Sequence, residues 1–320
     1  MERYPECLSI RYSVHLVPTR IITLTVAAVM ACGLEPARGA PMLDIVSFQA
    51  DDGLPLNALY WAPQNPNKSL MLLIPGHIGS VLGTPHDYRP MAEKLSEKGY
   101  DLLFPQLRAM NNWPYAVFDD AAKDIGGAVA FAKKQQYEKI ALFGTSLGGP
   151  RLAFFMARKG DPSIRAVGFI NSIMSPYLAL QLSQSKLDNE RLDALLEKAR
   201  DLVVRGRGGT LVEYRDYFPG QHMAMTARSF ISFNGREDES NAYSIKFAPQ
   251  IKVPALVIHG TADEIALPPN PKNIYESLSA AAHRDLVWVD GAGHFVTPGD
   301  FAKAYAEKIV DWLVTNMPPR

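Results

Sequence analysis

The chain has 320 residues, 47% hydrophobic and 21% charged, enough for one large α/β domain with an insertion or for two smaller domains. Basic and acidic residues number 33 each, so no excess charge marks the chain as a binder of nucleic acid or of acidic surfaces. Both cysteines, Cys7 and Cys32, fall within the first 40 residues, which excludes a disulfide, a thiolate nucleophile and a cysteine metal site from the rest.

Residues 1–40 read as a targeting leader. Arg11 and Arg20 precede an apolar run from Ile21 to Leu34, short for a bilayer span and suited to a signal-peptide core. Small residues at Ala37 and Gly39 suit one cleavage site. Val29-Met30-Ala31-Cys32 instead resembles a bacterial lipobox, which would place a lipid anchor on Cys32. A wrongly assigned start codon, with a cytoplasmic protein, is the third reading. The expectation is an exported protein, periplasmic or secreted, with no membrane span.

Asp44 to Pro63 reads as a β-hairpin about Asp52-Gly53. "SLMLLIPG" follows as a strand buried on both faces. "YRPMAEKLSEKGY" is a helix closing at Gly99, "DLLFPQL" a strand, and "FDDAAKDIGGAVAFAKKQ" a helix with Asp119 and Asp120 suited to its first turn. "KIALFG" is a strand, "PRLAFFMARKG" a helix and "IRAVGFINS" a strand. Such alternation implies right-handed crossovers and a mainly parallel sheet. It stops after Ser172. The stretch 173–250 reads as helical with no strand, its clearest helix carrying Leu192, Leu195, Leu196, Ala199 and Leu202 at helical spacing. Alternation resumes with "PALVIHG", "NPKNIYESLSAA", "DLVWVDG" and "FAKAYAEKIVDWLVTN". The expected organisation is a leader (1–40), an α/β core (41–172 and 251–320) and a helical lid (173–250).

Gly144-Thr145-Ser146-Leu147-Gly148 is a G-x-S-x-G motif between a predicted strand and a predicted helix. A serine at such a turn stands at the C-terminal edge of the sheet, and small neighbours at −2 and +2 make room for its strained backbone. The following helix aims its N-terminal dipole at developing negative charge. A serine hydroxyl needs a base. His294, in the Gly-rich loop after the last strand, is the candidate; His259, at the end of a strand, reads as structural. The imidazole needs an orienting carboxylate, and Asp263, three residues beyond "PALVIHG", supplies it, with the adjacent Glu264 as alternative. Backbone N–H groups of Leu147 and of the loop at His77 are the candidate oxyanion hole.

From about Met42 onward the chain resembles the α/β-hydrolases with a helical lid inserted after the sixth strand, in the branch of serine aminopeptidases and monoacylglycerol lipases. The order Ser146, Asp263, His294 is that family's order. Its usual H-G-x-x-G appears here as Pro75-Gly76-His77-Ile78-Gly79, with proline where histidine is common. The resemblance implies hydrolysis of a small ester or acyl substrate through an acyl-enzyme on Ser146, without metal or organic cofactor. Lactones, thioesters and aminoacyl amides would use the same parts, and the fold does not select among them. A non-catalytic binding protein on this scaffold is the reading from another class. Met174, Tyr177, Phe218, His222 and Met223 are the candidates to contact substrate. The apolar residues among them suit an acyl pocket or the lid's own small core.

Overall fold

The computed structural model describes residues 41–62, 67–77, 81–83, 88–183, 185–215, 222–296 and 299–319. The leader with Cys32, and Phe218 in the insertion, lie outside the described residues.

The first two strands, β1 (Met42–Gln49) and β2 (Pro55–Ala62), pair antiparallel across the Asp52-Gly53 turn, in register from Met42↔Ala62 to Gln49↔Pro55. They continue into β3 (Ser69–Ile74), β4 (Tyr100–Pro105), β5 (Lys139–Thr145), β6 (Ile164–Ile170), β9 (Ala255–Gly260) and β10 (Arg284–Val289). The eight strands lie in the order β1-β2-β4-β3-β5-β6-β9-β10, and every neighbouring pair from β4 to β10 is parallel. Between β6 and β9 the chain forms the two-stranded antiparallel β7 (Leu211–Arg215) and β8 (His222–Thr226).

Helices α1 (Arg89–Glu97) and α10 (Asp300–Asn316) pack together on one face of the sheet. On the other lie α3 (Ala121–Lys134), which follows the short α2 (Arg108–Asn111), and α4 (Gly148–Arg158). The period-two geometry of a strand explains the division. On β3, Leu70, Leu72 and Ile74 join Ile125, Leu152 and Phe155 of the α3–α4 face. Met71 and Leu73 join Leu95, Ile309 and Leu313 of the α1–α10 face. Each such side chain contributes about 2 kcal/mol of burial, which is why a strand between two helical layers is apolar throughout.

The insertion holds α5 (Pro176–Ser183), α6 (Lys186–Val204), α7 (Ala227–Asn234) and α8 (Ser244–Phe247); α9 (Pro269–Ser277) follows β9. Ser185 caps α6 by accepting from Asp188 N–H, and Thr226 caps α7 by accepting from Ser229 N–H. Leu192, Leu196, Ala199 and Leu202 are buried, as helical spacing implies. The hairpin β7–β8 corrects the expectation that the insertion is helical throughout. On β7, Val212 and Tyr214 are buried while Leu211, Glu213 and Arg215 face out, an alternation only five residues long. Met225, Phe230 and Phe233 are buried in the same core as the α3–α4 face.

Candidate functional site

Strand β5 delivers Ser146 into a tight turn. Its φ of +50° is left-handed, a conformation that costs a non-glycine residue of order 1 kcal/mol. The turn is pinned by Ser146 N–H donating to Ile170 C=O on the adjacent strand at 2.9 Å. It is also crowded: a Cβ on Gly144 would lie 2.4 Å from the carbonyl carbon of Gly148, so only hydrogen fits. Helix α4 starts at Gly148, so the positive end of its dipole lies beside the serine, while the Gly149 N–H closes the turn by donating to Ser146 C=O at 3.1 Å.

Asp263 stands on the loop after β9 and His294 on the loop after β10; His294 reaches Ser146, and Asp263 reaches His294. His294 Nε2 is 3.0 Å from Ser146 Oγ, and its Nδ1 is 3.0 and 2.9 Å from the two Asp263 oxygens. Asp263 accepts only, so Nδ1 carries the proton and Nε2 presents its lone pair to the serine hydroxyl. The N–H groups of Ile265 and Ala266 donate to Asp263 Oδ1 at 2.9 and 2.7 Å, fixing the carboxylate. Asp263 and His294 are 5% and 8% exposed, dry enough for these bonds to matter. Glu264 faces solvent. Burial alone would raise the Asp263 carboxyl. The hydrogen bond and charge of His294, then His259 and the Ala266 N–H, outweigh that effect and hold it below the usual carboxylate value.

His259 is fully buried, and it lies on the acid rather than only in the core. Its Nε2 is 2.7 Å from Ala266 C=O, to which it donates its hydrogen, and stands 3.2 Å from Asp263 Oδ2. Burial holds its pKa below the ordinary value, keeping it neutral.

The loop after β3 brings Gly76 against the serine; a Cβ there would meet Ser146 Cβ at 2.9 Å and Thr145 C=O at 3.1 Å. Arg151 of α4, fully buried, donates through Nη1 to Pro75 C=O at 2.9 Å and to Gly76 C=O. Burial lowers its pKa to about 10, against the pull of Asp124, so it remains a cation behind that loop. The His77 ring packs edge-on against Trp113 at 4.4 Å. Trp113 in turn donates from Nε1 to Tyr214 OH at 3.3 Å and stacks on Phe233 at 4.7 Å, joining the loop to the insertion.

The candidate substrate contacts among the described residues each have partners of their own. Met174 is buried, its amide donating to Asn270 Oδ1 and its sulfur accepting from Asn273 Nδ2. Tyr177 donates to Asp193 of α6 at 3.0 Å, within the insertion. His222 is exposed and pairs with Glu213 across the hairpin at 2.8 Å, because Arg215↔His222 register puts both on its outward face. Met223 packs half-buried on the core. Arg151, His259 and the pair Asn171-Ser172 were not singled out as parts of the site. Ser172 Oγ donates to Ser146 C=O at 3.1 Å. A polar pair ending the buried strand "AVGFI" is the available sequence signal for them. Among the described residues, no group of three His, Cys, Asp or Glu converges as metal ligands would.

No family model matches the chain. Among solved structures, it resembles Est1E from Butyrivibrio proteoclasticus, determined with ferulic acid bound. The TM-score is 0.63 at 18% identity, covering 84% of this chain and 98% of that one. It also resembles a monoacylglycerol lipase from Paleococcus ferrophilus (TM-score 0.58, 19% identity, 82% and 100% covered). A third resemblance is to an acylaminoacyl peptidase from Pyrococcus horikoshii (TM-score 0.57, 12% identity, 88% of this chain and 43% of that one). The chain has the α/β-hydrolase fold.

Proposed function

We propose that this chain is a serine hydrolase that cleaves a carboxylic ester through an acyl-enzyme on Ser146. The observation that carries the reading is the unbroken hydrogen-bond chain from Ser146 Oγ through the His294 ring to Asp263, built on a strained turn at the sheet edge. Ser146 Oγ attacks the carbonyl carbon as His294 Nε2 takes its proton. The C=O π pair moves onto oxygen, where the N–H groups of Leu147 and His77 receive it. The tetrahedral species collapses, the C–O bond breaks, and His294 returns the proton to the departing alkoxide. Water then repeats the sequence on the acyl-enzyme and frees the acid. Asp263 holds the ring and balances its charge while the proton is on it.

One observation favours esters over aminoacyl amides. A peptidase of this architecture needs acids to hold a free amino terminus. The candidates Glu190, Glu197 and Glu213 are 63, 66 and 69% exposed and sit beside Lys186, Arg200 and His222. The similar structures include an esterase, a lipase and an acylaminoacyl peptidase, so they support a hydrolase fold and leave this choice to the acids. In this reading the insertion caps the site, with Trp113 as its joint to the oxyanion loop. A screen of alkyl esters of graded length, aryl esters, lactones and aminoacyl amides is expected to show ester turnover well above amide turnover. A preference for the amides would replace the esterase reading with a peptidase.

A further inference from the structure

We infer that Asn171 is a positioning residue of the reaction, locking the acid loop to the histidine loop; the inference rests on reading Ser146, His294 and Asp263 as the reacting groups. Asn171 follows β6 directly. Its φ of +44° is left-handed, which makes it, with Ser146, a strained non-glycine residue at this sheet edge. Its backbone N–H donates to Ile258 C=O on β9 at 3.0 Å, just as the Ser146 N–H donates to β6, so three strand ends are laced together in succession.

The side chain is 1% exposed, and all four of its hydrogen-bonding positions are used. Nδ2 donates to Gly293 C=O at 3.1 Å and to His294 C=O at 2.8 Å. Oδ1 accepts from Gly260 N–H at 3.0 Å and from Tyr305 OH at 2.7 Å. Two of the partners are obligate acceptors and one an obligate donor, so the orientation of the amide is fixed. Aspartate would set an oxygen against two carbonyls. The bond to His294 is to the backbone of the base itself. The bond to Gly260 lies at the strand end from which the acid loop departs, three residues before Asp263. Tyr305, buried on α10, secures the assembly from the helical layer. Asn171 touches no substrate; it sets where the imidazole stands relative to both partners, and a misplacement of about 1 Å there costs of order 100-fold in rate.

The test compares wild type with Asn171→Gly, which keeps the left-handed backbone at ease and deletes only the amide. It measures kcat and KM on an aryl ester in protein shown folded by circular dichroism. The expected result is a fall in kcat of about 10- to 100-fold with KM within about twofold. Tyr305→Phe, which leaves Asn171 in place with one partner fewer, is expected to lose about threefold or more in kcat. It decides the question if Asn171→Gly does not fold. A kcat loss below about threefold in whichever variant decides, or a loss confined to KM or to thermal stability, overturns the positioning role. A wild-type protein that takes up no serine-directed fluorophosphonate would strike instead at the proposed function.

Discussion

At the scale of single residues, the site is a set of donors and acceptors whose roles follow from which atoms carry hydrogen. Asp263 fixes the His294 tautomer, and Asp263→Asn disturbs it; the expected loss is about 10,000-fold in kcat, measured by steady-state ester hydrolysis. Glu264, exposed beside it, is expected to tolerate Gln with little change; a severe loss there would exchange the two roles. His259 adds a pH dependence. The unfolded chain binds a proton on this histidine as pH falls through about 6.5, while burial keeps the folded one neutral. Below that pH the unfolded state binds more protons, so stability falls as pH falls. The depressed Asp263 acts lower: its contribution is present above the usual carboxylate value of 3.8 and is lost only as pH falls through its folded value below that. The Tm is therefore expected to drop between about pH 7 and about pH 5, and His259→Gln is expected to flatten that slope. Ser146, His294 and Asp263 were legible in the sequence because each ends or follows a recognisable strand. Asn171 and Arg151 were not: their roles lie in which carbonyls they meet, and those carbonyls are brought together only by the fold.

At the scale of elements, each reacting group is carried by the C-terminal end of a strand or the loop beyond it, and the loops approach one another at atomic distance. One that approaches the serine itself is the loop after β3. Gly76→Ala would put a methyl 2.9 Å from Ser146 Cβ and 3.1 Å from a backbone carbonyl, so either the loop or the serine must move. The expected result is a fall of about 100-fold in kcat/KM with the fold retained, read by ester kinetics and circular dichroism. Parallel strands of the core were readable because burial on both faces makes them apolar from end to end. The hairpin β7–β8 was missed for the opposite reason. Each strand has five residues, the apolar Leu211 and Ala224 stand among the outward ones and blur the alternation, and the methionines of "HMAMT" favour helices. His222, assigned to the site from its place in the insertion, went to the outer face of that hairpin through register alone.

At the scale of the whole molecule, the apolar side chains of the insertion continue the core of the α3–α4 face, and Trp113 is the hinge of that continuity. It touches the His77 ring, Tyr214 of β7 and Phe233 of α7. Trp113→Ala is expected to cost about 3–5 kcal/mol, seen as a Tm lower by roughly 10 °C. The strand-helix alternation displayed the overall plan in the sequence; how the insertion seats on it depends on aromatic contacts more than 100 residues apart, which no local pattern encodes. The account as a whole stands on Ser146 being an activated nucleophile. A fluorophosphonate probe followed by peptide mass spectrometry measures that directly. The wild-type protein is expected to be labelled stoichiometrically at Ser146, and Ser146→Ala to be left unlabelled. Folded wild-type protein that takes no label, or labelling that persists in Ser146→Ala, would contradict it.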